Sequence, residues 1–321
     1  MNISPLSIYQ AKKRISQHIT RTPLVRAHEL SDLCEAEIRC KLEIMQPTGA
    51  FKLRGATNAI LQLNEEQRAR GVVAVSTGNH GRGVAYAARE QSIHAVICLS
   101  GLVPENKVEA IKSLGADVRI IGNSQDEAEI EANRLTEEEG LIQISPFDHP
   151  DVISGQGTIG LELLEDFPEV NCVVVPLSGG GLIGGIALAL KAASPKIHVV
   201  GVTMEKGPAM ILSLKAGKPV EVNEEDSLAD SLGGGIGLQN QYTLKLVQEL
   251  VDETLLVSED EIGRAIRYVL QTQRMILEGG AAVGIAALLA KKLDVRGKNV
   301  ALIYSGNNIA EKKLKNVLDY L

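Results

Sequence analysis

The stretch Gln46-Pro47-Thr48-Gly49-Ala50-Phe51-Lys52-Leu53-Arg54-Gly55-Ala56 sets a lysine between two apolar side chains, after a Pro/Gly loop and at the head of a helical pattern. A helix N-terminus and a low dielectric both disfavour an ammonium there, and a lowered pKa is what a Schiff-base lysine needs. An ordinary solvated lysine is the alternative. A second cluster, Ser178-Gly179-Gly180-Gly181-Leu182-Ile183-Gly184-Gly185, follows an apolar run at 172–176 and opens a helical pattern at 182–193. Its glycines let the backbone turn tightly and aim several N–H groups at a ligand, and the helix dipole favours an anion such as phosphate. A tight packing turn is the alternative. The same loop fits G-x-G-x-x-G through Gly179, Gly181 and Gly184, with Glu205 21 residues further on, so a nicotinamide dinucleotide stays open at this point. Ser76-Thr77-Gly78-Asn79-His80-Gly81 is a third cup of hydroxyls and N–H groups before a helix, suited to a carboxylate; His80 taken alone reads equally as structural. Tyr304-Ser305-Gly306-Asn307-Asn308 offers a small hydroxyl after the last apolar run.

Elements that would position these groups alternate along the chain. Strands are predicted at 37–43, 72–75, 95–99, 117–121, 141–144, 172–176, 197–202, 253–257 and 299–304. Helices are predicted at 6–18, 51–62, 81–89, 105–114, 124–139, 155–167, 182–193, 258–272 and 280–293. Continuous apolar runs such as Val173-Val174-Val175 suit strands buried on both faces of a parallel sheet. Ser258 with Glu261 forms a capping box that marks one helix start. The alternation implies two doubly wound α/β domains. Strands 72–144 form one self-contained set, giving a smaller domain at 71–148 and a larger one from 1–70 with 149–321.

The 31 glycines in 321 residues exceed the usual share of about 7%, and the motifs concentrate them around loops. A formal charge of −7 argues against nucleic acid or an anionic membrane as partner. Apolar windows near 182–190 and 281–290 are too short for the roughly 20 residues of a membrane span, and no basic-then-apolar leader opens the chain. Cys34, Cys40, Cys98 and Cys172 show no C-x-x-C spacing and read as reduced thiols, so a cytoplasmic protein is expected.

Taken together, the motifs resemble a known family. T-G-A-F-K-L-R-G around Lys52, S-T-G-N-H-G at 76–81, G-Q-G-T at 155–158, S-G-G-G-L at 178–182, the Glu278 segment and S-G-N-N at 305–308 occur in order, over about residues 5–310. This is similar to the threonine/serine dehydratases and serine racemase, pyridoxal 5′-phosphate enzymes of fold type II (tryptophan synthase β-like), with the cofactor in the interdomain cleft. The resemblance implies that Lys52 holds the cofactor and moves the α-proton. Phe51 would pack beside its ring and Asn79 would bond its 3′-oxygen. Gly179, Gly180, Gly181 and Leu182 would cradle the phosphate, and Ser305 would meet the ring nitrogen. Ser76, Thr77, Gly78, Asn79 and His80 would take the substrate carboxylate. A neutral hydroxyl at the ring nitrogen makes a weaker electron sink and favours loss of a β-leaving group. The product would be a 2-oxo acid and ammonia, and a homodimer is implied.

Departures narrow this expectation. Asn307 replaces a usual glycine, and Thr77 stands where serine racemase has its second acid/base, which disfavours racemisation. Thr203 stands where that enzyme binds a divalent cation, so no metal is expected. The runs S-T-G-N-H-G-R-G-V-A, F-D-H-P at 147–150, A-D-S-L-G-G-G-I-G at 229–237 and L-E-G-G-A-A-V-G at 277–284 look most like hydroxyectoine-utilisation dehydratases. The glycines around Gly235 would then leave room for a hydroxylated diamino acid larger than threonine; a turn without a ligand role is the alternative. Arg82, Asp148 and His149 stand beside the motifs, where a distal substrate group and plain solvent both fit. A racemase of the same fold, a nicotinamide oxidoreductase and a non-catalytic binding protein are the competing readings.

Overall fold

The computed structural model describes residues 3–76, 78–101, 103, 105–123 and 125–320. Its ten strands among these residues are β1 (Leu24–Arg26), β2 (Glu37–Lys41), β3 (Val72–Val75), β4 (Ala95–Leu99), β5 (Asp117–Ile120), β6 (Ile142–Gln143), β7 (Cys172–Pro176), β8 (His198–Met204), β9 (Glu253–Val257) and β10 (Asn299–Ile303). The helices are α1 (Pro5–Ile15), α2 (His28–Cys34), α3 (Lys52–Leu61), α4 (Glu65–Arg70), α5 (Asn79–Glu90), α6 (Glu105–Lys112), α7 (Gln125–Glu138), α8 (Pro150–Asp166), α9 (Gly181–Ala193), α10 (Ala209–Ala216), α11 (Thr243–Leu250), α12 (Glu259–Gln273), α13 (Gly279–Leu289) and α14 (Glu311–Tyr320).

A six-stranded sheet runs β1-β2-β10-β7-β8-β9 and a four-stranded sheet runs β5-β4-β3-β6. Every pairing is parallel except β1 with β2. The apolar runs follow from this layering. In the larger sheet Val173, Val175, Val199, Ala301 and Ile303 pack in one core with Ile186, Leu190 and Leu163 of α9 and α8. Val174, Val200, Val202, Val300 and Leu302 pack in another with Ile262, Ile266 and Val283 of α12 and α13. Alternate residues therefore point into two cores, so the middle of each strand reads as an uninterrupted apolar run. The smaller sheet repeats the scheme: Val72, Ala74 and Ile97 face α3 and α5, while Val73, Val96 and Cys98 face α7. No helix among the described residues is long and apolar enough to cross a membrane.

Several boundaries shift from expectation. The helix expected from 155 starts at Pro150, because His149 caps it and Pro150 fits the first turn. The helix expected from 81 starts at Asn79, which moves Asn79 and His80 from a loop into its first turn. The stretch 206–252, read without elements, carries α10 and α11. The Ser258–Glu261 capping box has both of its hydrogen bonds.

Candidate active site

The C-terminal ends of β3, β7 and β10 lead into the loops singled out above, as parallel α/β sheets present ligand sites. Lys52 is the first residue of α3. The loop before it is zipped to the turn after β10: Ala50 bridges Gly306, the Phe51 amide donates to the Ser305 carbonyl (2.9 Å), and the Asn307 amide donates to the Gly49 carbonyl (3.0 Å). Gly49 has φ +72°, and a Cβ there would lie 2.5 Å from the Asn307 amide oxygen, so only glycine fits. The Lys52 amine donates to the Pro146 carbonyl (2.7 Å) and lies 5.3 Å from the centre of the Phe51 ring. Burial pushes its pKa down to about 8, against the opposing attraction of Glu278.

Beneath this lysine the α3 helix is anchored by a buried charge cluster. The Arg54 guanidinium donates to both oxygens of Glu43 (2.8 Å each) and to both oxygens of Glu162 (2.7 and 2.9 Å). Lys41 reaches Glu162 at 2.6 Å, and Thr22 donates its hydroxyl to Glu43 at 2.5 Å. All four charged side chains are buried, two cations against two carboxylates. Such a cluster is held by mutual pairing, since any one charge left alone would carry a large desolvation cost.

The glycine loop is pressed between two walls. A Cβ on Gly179 would lie 2.4 Å from the Phe147 ring, and one on Gly181 would lie 2.8 Å from the Phe147 carbonyl. Gly180 has φ +87° and faces Met210, Thr243 and Val247. Gly179, Gly180, Gly181 and Leu182 are buried at the N-terminus of α9, and no acceptor among the described residues takes their N–H groups. Buried amides without acceptors at a helix start form an anion cradle.

At the start of α5, the Gly78 amide donates to the Ser76 hydroxyl (3.2 Å), while the Asn79 side chain joins two other elements. Its Nδ2 donates to Glu278 (2.8 Å), and its Oδ1 accepts from Asn308 (2.7 Å). Glu278 stands at the head of α13 with its side chain turned to Asn79 rather than to the helix amides; it is buried, and burial raises its pKa. His80 turns its ring to the Ile144 carbonyl (2.8 Å); burial and the nearby Lys52 charge push its pKa down to about 3, so the ring is neutral. Thr77 lies outside the described residues. Ser305 is buried at the end of β10, one residue before the Gly306 bridge. Gly235 has open space: a Cβ there would meet only the Gly237 amide, at 3.9 Å.

Three residues left open by the sequence acquire places here. Asp148 accepts from three backbone amides, Gln241 (2.6 Å), Tyr242 (2.9 Å) and Thr243 (2.9 Å), and so holds the start of α11. His149 accepts from the Asp151 amide as the cap of α8 (3.2 Å). Arg82 donates to Asn308 (2.5 Å). Four consecutive residues thus serve four parts of the site: Pro146 the lysine, Phe147 the glycine loop, Asp148 α11 and His149 α8. Sequence reasoning missed the Arg54 cluster and the Asp148 cap, because their partners lie far away along the chain. Glu205, the candidate ribose partner, is exposed beside Lys292 (3.7 Å). Among the described residues, no group of three or more side chains is arranged to hold a metal ion.

The chain is similar to known proteins over nearly its whole length. The family described as "Pyridoxal-phosphate dependent enzyme" matches residues 15–306. A Sinorhizobium fredii protein provisionally named a threonine dehydratase is 54% identical over 308 residues, 96% of this chain and 93% of its own. A Thermotoga maritima protein named L-threonine ammonia-lyase is 43% identical over 312 residues, 97% of this chain and 77% of its own. The structure of maize serine racemase superposes with a TM-score of 0.93 at 33% identity, covering 99% of this chain and 97% of that one.

Proposed function

The chain belongs to the pyridoxal-phosphate-dependent enzyme family, as a lyase of the dehydratase kind, and from that premise we propose that it removes water from a β-hydroxy amino acid with a side chain larger than threonine's. The single observation that carries the reading is a half-buried lysine amine with its pKa near 8, bonded to Pro146 beside the Phe147 that walls the loop of acceptor-free amides, with Gly83 of α5 packed against its backbone.

The residues present fit pyridoxal 5′-phosphate. Gly179, Gly180, Gly181 and Leu182 have unused amides for its phosphate, and Lys52 has the amine for its aldehyde. When bound, the cofactor supplies an electron sink for the charge left at the substrate Cα. Lys52 is proposed to take the proton from that carbon at Nζ. At pH 7.5 roughly a quarter of its amine is neutral, against about one part in a thousand for an ordinary lysine. Asn79 keeps one N–H beyond the one given to Glu278, and this is the proposed donor to the ring oxygen. Phe51 is proposed to pack against the ring and Ser305 to meet its nitrogen with a neutral hydroxyl. The substrate carboxylate is proposed to sit at the start of α5, on Ser76, Thr77, Gly78, Asn79 and His80. There His80 contributes backbone, since its neutral ring is already committed to Ile144.

The larger side chain is supported by Gly235 and its open surroundings. A hydroxylated diamino acid, of the kind that hydroxyectoine breakdown would supply, is the proposed substrate. Assembly as a homodimer, and division into 71–148 against 1–70 with 149–321, belong to the same proposal.

The test uses the purified holoenzyme, with an absorbance band expected at about 410–420 nm. Threonine, serine and hydroxylated diaminobutyrate derivatives are assayed for ammonia and 2-oxo acid, with chiral analysis of the remaining amino acid. Expected are 2-oxo acid as product, a preference for the larger substrate, and a greater loss on that substrate than on threonine in Gly235→Val. Inversion without 2-oxo acid would make it a racemase, and clear preference for threonine would remove the larger-substrate reading.

A further inference from the structure

Arg82 is the one charged side chain at the start of α5, and it is poorly matched to its surroundings. It follows Asn79 by three residues, so the two share a helix face. The next residue, Gly83, is pressed against Lys52: a Cβ there would lie 3.3 Å from the Lys52 carbonyl carbon. From this position Nη1 donates to Asn308 (2.5 Å). Asn308 donates in turn to Asn79 and to the Thr48 carbonyl (2.9 Å), and Asn79 donates to Glu278. The guanidinium therefore ends a chain of hydrogen bonds through the turn that holds the lysine loop.

Its remaining donors are unmatched. Nε is buried without an acceptor, and the group's hydrogen bond goes to the neutral Asn308 amide, with Glu278 acting on it only through space. Half-buried arginines here fall into two groups: Arg39 has carboxylates from Glu37 (3.1 Å) and Glu169 (3.7 Å), whereas Arg14 and Arg267 donate to neutral oxygens as Arg82 does. What sets Arg82 apart among the described residues is a buried guanidinium nitrogen with no acceptor. Burial lowers the Arg82 pKa against the pull of Glu278, which marks the same shortage of compensation. A guanidinium with a planar set of free N–H groups suits an oxygen acceptor and repels a cation.

We propose that Arg82 is a specificity residue that receives an oxygen acceptor, a carboxylate or an acyl carbonyl, at the far end of the substrate side chain, and that it selects against a free distal ammonium. This rests on the dehydratase reading and deepens it: a hydroxylated diamino acid would enter with its distal nitrogen acylated. Threonine, ending in a methyl group, leaves the guanidinium unsatisfied.

The experiment measures kcat/KM of the holoenzyme for four compounds: 3-hydroxyaspartate, a distally N-acetylated hydroxydiaminobutyrate, the free hydroxydiaminobutyrate, and threonine. Wild type is expected to favour at least one acceptor-ended compound over the free amine by about 10-fold or more, as a hydrogen bond to a charged group allows. Whichever of the two is favoured identifies the acceptor as carboxylate or acyl. Arg82→Gln is expected to bring that ratio to within about 3-fold of unity, and Arg82→Lys to retain part of it for the carboxylate only. Partial misfolding or cofactor loss lowers all four rates together and leaves the ratio unmoved. Calorimetric titration of Lys52→Ala protein with the same compounds reads the preference without turnover and is expected to give the same order. A preference for the free amine, or a ratio unchanged in both variants, overturns the proposal. Failure of every compound to yield 2-oxo acid removes the dehydratase reading instead, and the titration still decides the role of Arg82.

Discussion

Replacing Lys52 by methionine is expected to stabilise the cofactor-free protein at neutral pH. In the unfolded chain the amine titrates near its ordinary 10.5; in the fold, burial brings it to about 8. The folded state binds fewer protons than the unfolded chain between those values, so stability rises with pH across that window. Below pH 8 the whole difference weighs against folding, about 3 kcal/mol. Methionine carries no charge and has similar length, but it gives up the hydrogen bond to Pro146, which contributes about 1 kcal/mol. The net expectation is that Lys52→Met is more stable by about 2 kcal/mol at pH 7. That advantage shrinks above pH 8 and reverses past about pH 10, where only the lost hydrogen bond remains. Urea denaturation of both cofactor-free proteins at pH 6.5, 8, 9.5 and 10.5 reads the difference directly. A variant less stable than wild type at pH 7, or a difference that stays flat with pH, would refute the claim that a destabilised ammonium is built into this site.

Two further outcomes follow from the site's supports. Arg54→Met leaves Glu43 and Glu162 buried with Lys41 as their only cation, and is expected to cost about 3–5 kcal/mol, seen as a large fall in Tm. An unchanged Tm would mean that the cluster is hydrated. Asp148→Asn cannot match a carboxylate accepting three amides, so faster amide exchange at 241–243 and faster cofactor loss on dialysis are expected. Exchange there at the wild-type rate would show that α11 holds itself.

What the sequence disclosed depended on range. The parallel strands were legible because burial on both faces leaves uninterrupted runs such as Val173-Val174-Val175. The Ser258 cap was legible because donor and acceptor sit three residues apart. Lys52 stood out because its neighbours are apolar and its loop is rich in Pro and Gly. By contrast, Arg54 and Glu162 are 108 residues apart, and each alone reads as a surface charge. Asp148 caps a helix 95 residues away, which no local pattern records. Strand β1 has only three residues, too few for periodicity to register, and α10 and α11 have eight each.

The segment 146–149 constrains how this chain can be edited. Its four neighbouring residues each answer to a different partner, so adding or removing one residue would put all of them out of step at once. Laboratory insertions, tags or circular permutation should therefore avoid it. The stretch 221–226, outside any helix or strand and mostly exposed, is the natural place to cut or extend the chain.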